Sequence, residues 1–161
     1  MDTILIGIDP GVNTGFATWD GNNLTLDTLS ITRAMAKVMV LKEQTDCNLH
    51  IFIEDARRRQ WFGNAGRERL MGAGSVMRDC RIWEDFCNEQ GIQYTLIPPK
   101  YNTTKLSAKQ FSQLTGYLNS TNEHNRDAAM LVFGRNPKDF ISRPNSDLEL
   151  LQAIIKNNYE Q

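Results

Sequence analysis

Hydrophobic residues recur along the chain with a short period in some segments and a helical period in others. Apolar runs rich in β-branched residues predict buried strands at 4–9, 49–54 and 92–97. Extended runs at 16–19 and 24–29 flank the sequence Asp-Gly-Asn-Asn, which is a hairpin signal. The chain therefore opens with three strands, which we expect to be antiparallel neighbours.

Apolar residues spaced three to four apart predict the helices. The first helix follows Ser30, a good N-cap, and a long helix is closed by Gly91, a residue suited to the left-handed cap position. The run from Ser120 to Glu123 has the pattern of a capping box, so we expect a further helix to begin after it. The predicted helices span residues 31–45, 67–90, 107–115, 125–133 and 147–156.

The order of these elements predicts an α/β fold with a five-stranded mixed sheet flanked by helices. The 161 residues suit a single domain, 1–161, because domains commonly have about 100–200 residues. The N-terminus lacks the basic start and long apolar run of a signal peptide, and no apolar stretch has the length of a membrane span. The three scattered cysteines form no disulfide or zinc pattern, which favours a reduced, cytoplasmic protein.

Charge is unevenly distributed along the chain. The net charge is −1, so the whole chain is not a polycation. Between Asp55 and Arg81, however, seven arginines stand against three acids. A basic patch of this kind can bind phosphates even though the total charge is close to zero.

Two carboxylates end predicted buried strands, Asp9 after the first and Glu54 after the fourth. Ligand sites gather at strand ends in α/β sheets, so these side chains converge if the two strands are neighbours. Close carboxylates repel each other, and a divalent cation such as Mg²⁺ or Mn²⁺ relieves that repulsion. His124 and Asp127 lie three residues apart on one face of a predicted helix and could complete such a site.

Each of these residues also has an ordinary structural explanation. Asp9 precedes Pro-Gly and could be a turn residue, and Glu54 could pair with a nearby arginine. Glu123 is expected to cap a helix rather than to bind a metal, and His124 could be a surface histidine. The combination of these residues, in this order on these elements, favours a metal site.

Four segments resemble the RuvC-type Holliday-junction resolvases. ILIGIDPGVNTGFATW resembles the first strand and turn, IFIEDARRRQWF the segment with the strand-end Glu, LMGAGSVM the start of the next helix and EHNRDAAMLV the C-terminal helix. The ordered likeness covers about residues 4–134. It implies an RNase H-like fold, a homodimer, and paired nicking of four-way junctions in DNA recombination and repair in the bacterial cytoplasm. The short length suggests a phage or mobile-element version that also cuts other branched DNA.

Carried over residue by residue, the resemblance implies that Asp9, Glu54, His124 and Asp127 are the catalytic and metal-binding residues. Asp9 would anchor both of two Mg²⁺ ions, for which Mn²⁺ would substitute, and Glu54 and Asp127 would hold one each. Many relatives have Asp where this chain has His124, so this side chain could instead assist proton transfer. Hydrolysis would leave a 5′-phosphate and a 3′-hydroxyl.

Candidate DNA contacts lie beyond the strand-end acids. Arginines after Glu54 and lysines after the last strand would bind phosphates, although a solvated charge run is the alternative. Trp61 and Phe62 could stack on unpaired bases or pack against the long helix, and the resemblance implies a junction-wedging aromatic near this point. The predicted DNA-binding residues are Arg57, Arg58, Trp61, Phe62, Arg67, Lys100 and Lys105.

Three other functions compete with junction resolution. A different RNase H-fold nuclease, acting on RNA–DNA hybrids or in RNA processing, would use the same acids. A phosphotransferase of the actin and sugar-kinase fold also carries Asp-x-Gly in its first hairpin, but the chain is too short for its two domains. A non-catalytic DNA-binding module would have no need to retain Asp9, Glu54 and Asp127.

Overall fold

The computed structural model describes residues 2–44, 46–58, 67–102 and 105–141, and for 44, 67–71 and 73 it describes the backbone alone. The strands are β1 (Thr3–Asp9), β2 (Thr14–Trp19), β3 (Leu24–Leu29), β4 (Asn48–Glu54) and β5 (Gln93–Ile97). The helices are α1 (Ile31–Gln44), α2 (Arg67–Gln90), α3 (Ala108–Thr115) and α4 (Glu123–Met130). No helix in these ranges is long and apolar enough to cross a membrane. The predicted helix at 147–156 lies outside the described residues.

The five strands form one mixed sheet in the order β3-β2-β1-β4-β5. The hairpin strands β1, β2 and β3 pair antiparallel, whereas β1 pairs with β4, and β4 with β5, in parallel. The predicted mixed sheet and its opening antiparallel strands are therefore confirmed. Ile8 lies opposite Ile53 in the β1–β4 register, so the next residues, Asp9 and Glu54, end neighbouring strands at the same edge.

Alternation along the strands divides the core between the two faces of the sheet. Ile6, Ile8 and Ile53 pack with buried residues of α1 and α2 on one face. Leu5 and Phe52 pack with Phe111 of α3 and the alanines of α4 on the other. Asp9 and Glu54 have the parity of this second set, so both carboxylates lie on the face that α4 covers.

Helix α4 lies in direct backbone contact with the sheet because two strand residues have no side chain. A Cβ added at Gly15 would lie 2.0 Å from the carbonyl oxygen of His124, and one added at Gly7 would lie 2.0 Å from that of Ala128. Real Cβ atoms do not approach backbone oxygens so closely, since interiors are packed to van der Waals contact. These two glycines therefore set how near α4 comes to the strand-end acids.

The start of α4 differs from the sequence-based expectation. The capping box predicted at Ser120 and Glu123 is wrong: Asn122 is the N-cap, and its side chain accepts a hydrogen bond from the backbone N–H of Asn125 at 3.0 Å. The Asn125 side chain accepts in return from the backbone N–H of Asn122 at 2.9 Å. An Asn–Asn pair performs here what Ser and Glu usually do, and the helix starts at Glu123, two residues earlier than expected.

The segment after α4 is held on the sheet by an aromatic cluster. The guanidinium of Arg135 lies 4.6 Å from the centre of the Phe52 ring, and His50 packs against both Phe52 and Phe140 at 4.9 Å. Burial, with the positive charge of Arg135 as a second cause, lowers the pKa of His50 to about 4. His50 is therefore uncharged in the folded protein at neutral pH.

Alanine at Gly15 is expected to destabilise the fold, because its methyl group would collide with the α4 backbone. Overpacking of this kind costs about 3 kcal/mol, which corresponds to a fall in Tm of roughly 6–12 °C for a chain of this size. Gly74→Ala is the matched control, since an added Cβ there meets no described atom within 4 Å, and it should raise the Tm slightly. Equal changes in Tm for the two variants would contradict close packing of α4 against the sheet.

Acid is expected to destabilise the protein in part through His50. Its folded-state pKa lies below the unfolded value, so the unfolded chain binds a proton first as the pH falls from about 6.5 to about 4. The stabilising contribution is present above pH 6.5 and is lost across that window. The Tm of His50→Gln should fall less between pH 7 and pH 5 than that of the unaltered chain. Parallel pH profiles would show that His50 is not the responsible group.

Candidate active site

Two strand ends and one helix bring four of the predicted residues together. Asp9 and Glu54 end β1 and β4, and α4 places His124 and Asp127 over the same edge of the sheet. The pKa of the Asp9 carboxyl is raised to about 7, mainly by burial, and the negative charges of Glu54 and Asp127 contribute to this rise. Glu54 and Asp127 are thus close enough to oppose the ionisation of Asp9.

His124 contacts one of these acids, Asp9. Its Nδ1 and Oδ2 of Asp9 are 3.0 Å apart, and this hydrogen bond acts against the rise in the pKa of Asp9. The His124 side chain is 48% exposed, whereas that of Asp9 is 17% exposed. The imidazole therefore connects the buried carboxylate with solvent. Glu123, the first residue of α4, is exposed.

A strained residue fixes the orientation of Asp127. The backbone N–H of Lys105 donates a hydrogen bond to Oδ1 of Asp127 at 3.0 Å, and Lys105 has a φ of 63°. It is the one described residue other than glycine with a positive φ, a conformation that L-residues adopt at a cost. Burial raises the pKa of Asp127, and the Lys105 N–H opposes that shift. The side chain of Lys105, which was predicted to contact DNA, is exposed.

Asn102 belongs to this site, although nothing in the sequence singled it out. Its Nδ2 donates to Oε2 of Glu54 at 2.8 Å and to the backbone carbonyl oxygen of Asp127 at 3.1 Å. Asn102 follows the Pro99–Tyr101 turn after β5, the strand beside β4. In the sequence, an Asn that follows two prolines is typical of an ordinary loop. Only the pairing of β4 with β5 brings Asn102 beside Glu54.

The donor set suits a hard divalent cation. Within the described ranges, no three His, Cys, Asp or Glu side chains converge tightly enough to form a ready-made metal cluster. Asp9, Glu54 and Asp127 instead each hydrogen-bond to a neighbouring group of the chain. The buried Oδ1 of Asn102 accepts no hydrogen bond from any described residue. Crowded carboxylate oxygens are the hard ligands that Mg²⁺ or Mn²⁺ prefers.

The predicted DNA-binding arginines occupy different environments. Arg57 forms ion pairs with Asp55 at 2.7 Å and with Glu84 at 2.8 Å, so its guanidinium ties the segment after β4 to α2. Arg58 is more exposed, and its Nε lies 3.4 Å from Asp55. Arg67 is the first residue of α2, and its side chain is outside the described part. A phosphate contact by any of them stays a prediction.

Of the remaining candidate DNA contacts, Lys100 lies within the described residues, whereas Trp61 and Phe62 do not. Lys100 lies in the turn that leads to Asn102, with its Nζ 4.7 Å from the centre of the exposed Tyr101 ring. Trp61 and Phe62 fall outside the described residues, as do the flanking positions 59–66. The prediction that these aromatics contact DNA is therefore untested.

Comparison with known proteins supports the fold. No protein-family model matches the chain, and no curated protein matches it significantly. Among solved structures, T. thermophilus RuvC in complex with a Holliday junction substrate superposes with a TM-score of 0.51 and 16% sequence identity. The match covers 80% of this chain and 89% of that one. The resemblance to RuvC is therefore confirmed at the level of the RNase H-like α/β fold.

Substitutions at Lys105 are expected to separate its backbone role from its charge. Glycine adopts a φ of 63° without strain, whereas a β-branched residue is strongly disfavoured there. Lys105→Val should therefore melt about 3 °C or more below Lys105→Gly, given a strain of at least about 1 kcal/mol. Both variants lose the same charge. Equal melting temperatures would mean that the backbone at 105 does not hold this conformation.

Proposed function

We propose that this chain is a single-domain, divalent-metal-dependent DNA endonuclease that cuts four-way junctions and other branched DNA. The observation that carries the proposal is the approach of Asp9, Glu54 and Asp127 on one side of an RNase H-like sheet, where the charges of Glu54 and Asp127 oppose the ionisation of Asp9. The likeness to T. thermophilus RuvC, solved with a Holliday junction substrate, supports the choice of substrate.

The proposed metal ligands are the strand-end acids together with Asp127. Asp9 would be shared by two Mg²⁺ ions, and Glu54 and Asp127 would each hold one of them. When bound, such cations stabilise the charge on a phosphodiester and activate water for in-line displacement. The chain itself supplies preorganised oxygens: Lys105 orients Asp127, and Asn102 orients Glu54.

His124 is proposed to handle protons at the rim of the site. Its imidazole is half exposed and hydrogen-bonds to Asp9, so it can exchange a proton with solvent while it stays oriented by a carboxylate. Phosphodiester hydrolysis consumes water and releases one strand with a 5′-phosphate and one with a 3′-hydroxyl. A histidine so placed is suited to protonate the leaving oxygen or to accept the proton from water.

Resolution of a four-way junction requires two nicks in strands of like polarity. The described residues hold one such group of acids, so paired nicking calls for a second copy of the chain. We therefore propose a homodimer with one site in each subunit. Arg58, Lys100 and Lys105 are candidates for binding the phosphates of the DNA arms.

Asp9→Asn is expected to lower junction cleavage by about 1000-fold or more, because it removes the shared ligand at the centre of the site. Junction binding measured in EDTA should change little. Asp20→Asn, which removes a carboxylate from the β2–β3 turn, is the matched control and should cut normally. The assay compares a labelled junction, a linear duplex and an RNA–DNA hybrid, each with Mg²⁺, Mn²⁺ or EDTA.

The outcomes separate the candidate functions. Metal-dependent symmetric nicks near the crossover, lost in Asp9→Asn, support a junction resolvase. Cleavage of the hybrid alone would instead make the chain an RNase H-type nuclease. Tight junction binding with no cleavage under any metal would indicate a non-catalytic module and would refute the proposal.

A further inference from the structure

The side chain of Asn102 bridges two elements that carry proposed metal ligands. Its Nδ2 reaches both Oε2 of Glu54 and the carbonyl oxygen of Asp127, at 2.8 and 3.1 Å. Glu54 ends a strand and Asp127 lies on α4, 73 residues further along the sequence. One amide group thus joins the strand end to the helix across the face of the sheet.

The chemistry of these partners fixes which way the amide points. A carboxylate oxygen and a backbone carbonyl oxygen both accept hydrogen bonds, so the NH₂ group of Asn102 must face them. The bond to Glu54 involves a charged acceptor, which makes it shorter and stronger than a neutral one. The amide oxygen is left buried, without a hydrogen-bond donor from the described residues.

Local structure places Asn102 without help from its side chain. Glu54 lies opposite Ile97 in the β4–β5 register, so the chain leaves β5 beside Glu54. The Pro99–Tyr101 turn follows, and the backbone N–H of Asn102 donates to the carbonyl oxygen of Pro99 at 3.2 Å. The turn fixes the backbone that carries the Asn102 side chain, so the hydrogen bond to Glu54 forms with little loss of conformational entropy.

We infer that Asn102 is a positioning residue of the active site, which holds the Glu54 carboxylate in the orientation that binds the divalent cation. The inference rests on the proposed function, because it takes Glu54 as a metal ligand. Residues that hydrogen-bond to ligating carboxylates orient them, and their loss typically weakens metal affinity about 10–100-fold. Asn102 acts through Glu54 and needs no contact with DNA.

Titration of the full chain with Mn²⁺, without DNA, tests this role. Electron paramagnetic resonance of free Mn²⁺ gives the concentration for half-saturation. Asn102→Ala is expected to raise it about tenfold. Asn23→Ala is the matched control, because its Nδ2 also donates to a carboxylate, that of Asp20 at 2.9 Å, but in the β2–β3 turn. Asn102→Ser retains one donor and should give a smaller increase; it also serves if the alanine variant does not fold.

The Glu54→Gln background shows whether Asn102 acts through Glu54. In that background, Asn102→Ala should cause no further rise in the Mn²⁺ concentration for half-saturation, because the carboxylate that Asn102 orients is gone. An unchanged half-saturation in Asn102→Ala, or an additive rise in the double variant, would overturn the inference while the proposed nuclease stands. Absence of Mn²⁺ binding by the unaltered chain would refute the metal-dependent nuclease itself, and with it the role of Asn102.

Discussion

The contact of the α4 backbone with Gly7 and Gly15 is the constraint on which the site depends. A side chain at either position would occupy the space of a helix carbonyl oxygen. Without that contact α4 would lie further from the sheet, and His124 could not reach Asp9 across 3.0 Å. Because Gly7 and Gly15 have no side chains, α4 can place His124 and Asp127 close to the two strand-end acids.

Electrostatics explains both the strain of this arrangement and its use. Burial and two neighbouring charges raise the pKa of Asp9 to about 7, so the ionised form of this carboxyl is disfavoured. Each acid is partly relieved by a donor from elsewhere in the fold: Asn102 for Glu54, the backbone of Lys105 for Asp127, and His124 for Asp9. These donors also orient the carboxylates, which prepares them for the cation that the proposed reaction requires.

The mixed sheet was predicted from local signals, because apolar strand runs and helix periodicity are visible in a single chain. The strand-end acids are visible there too, but they were expected to converge only if their two strands were neighbours, which the parallel pairing of β1 with β4 shows. The metal-binding roles of Asp9, Glu54, His124 and Asp127 stay predictions. The Asn122–Asn125 cap was missed because Ser120 offered a more familiar pattern. Asn102, Gly7 and Gly15 were missed because their importance arises from contacts between distant segments. The ion pairs of Arg57 with Asp55 and Glu84 were not predicted either, and its contact with a DNA phosphate stays a prediction.

The proposed chemistry requires acids from β1, β4 and α4 to form one divalent-cation site. Anomalous diffraction from crystals of the full chain grown with Mn²⁺ locates the bound cation. We expect Mn²⁺ in contact with Asp9 and with carboxylate oxygens of Glu54 or Asp127. Mn²⁺ bound only at other surfaces, or these three side chains directed away from one another, would contradict it.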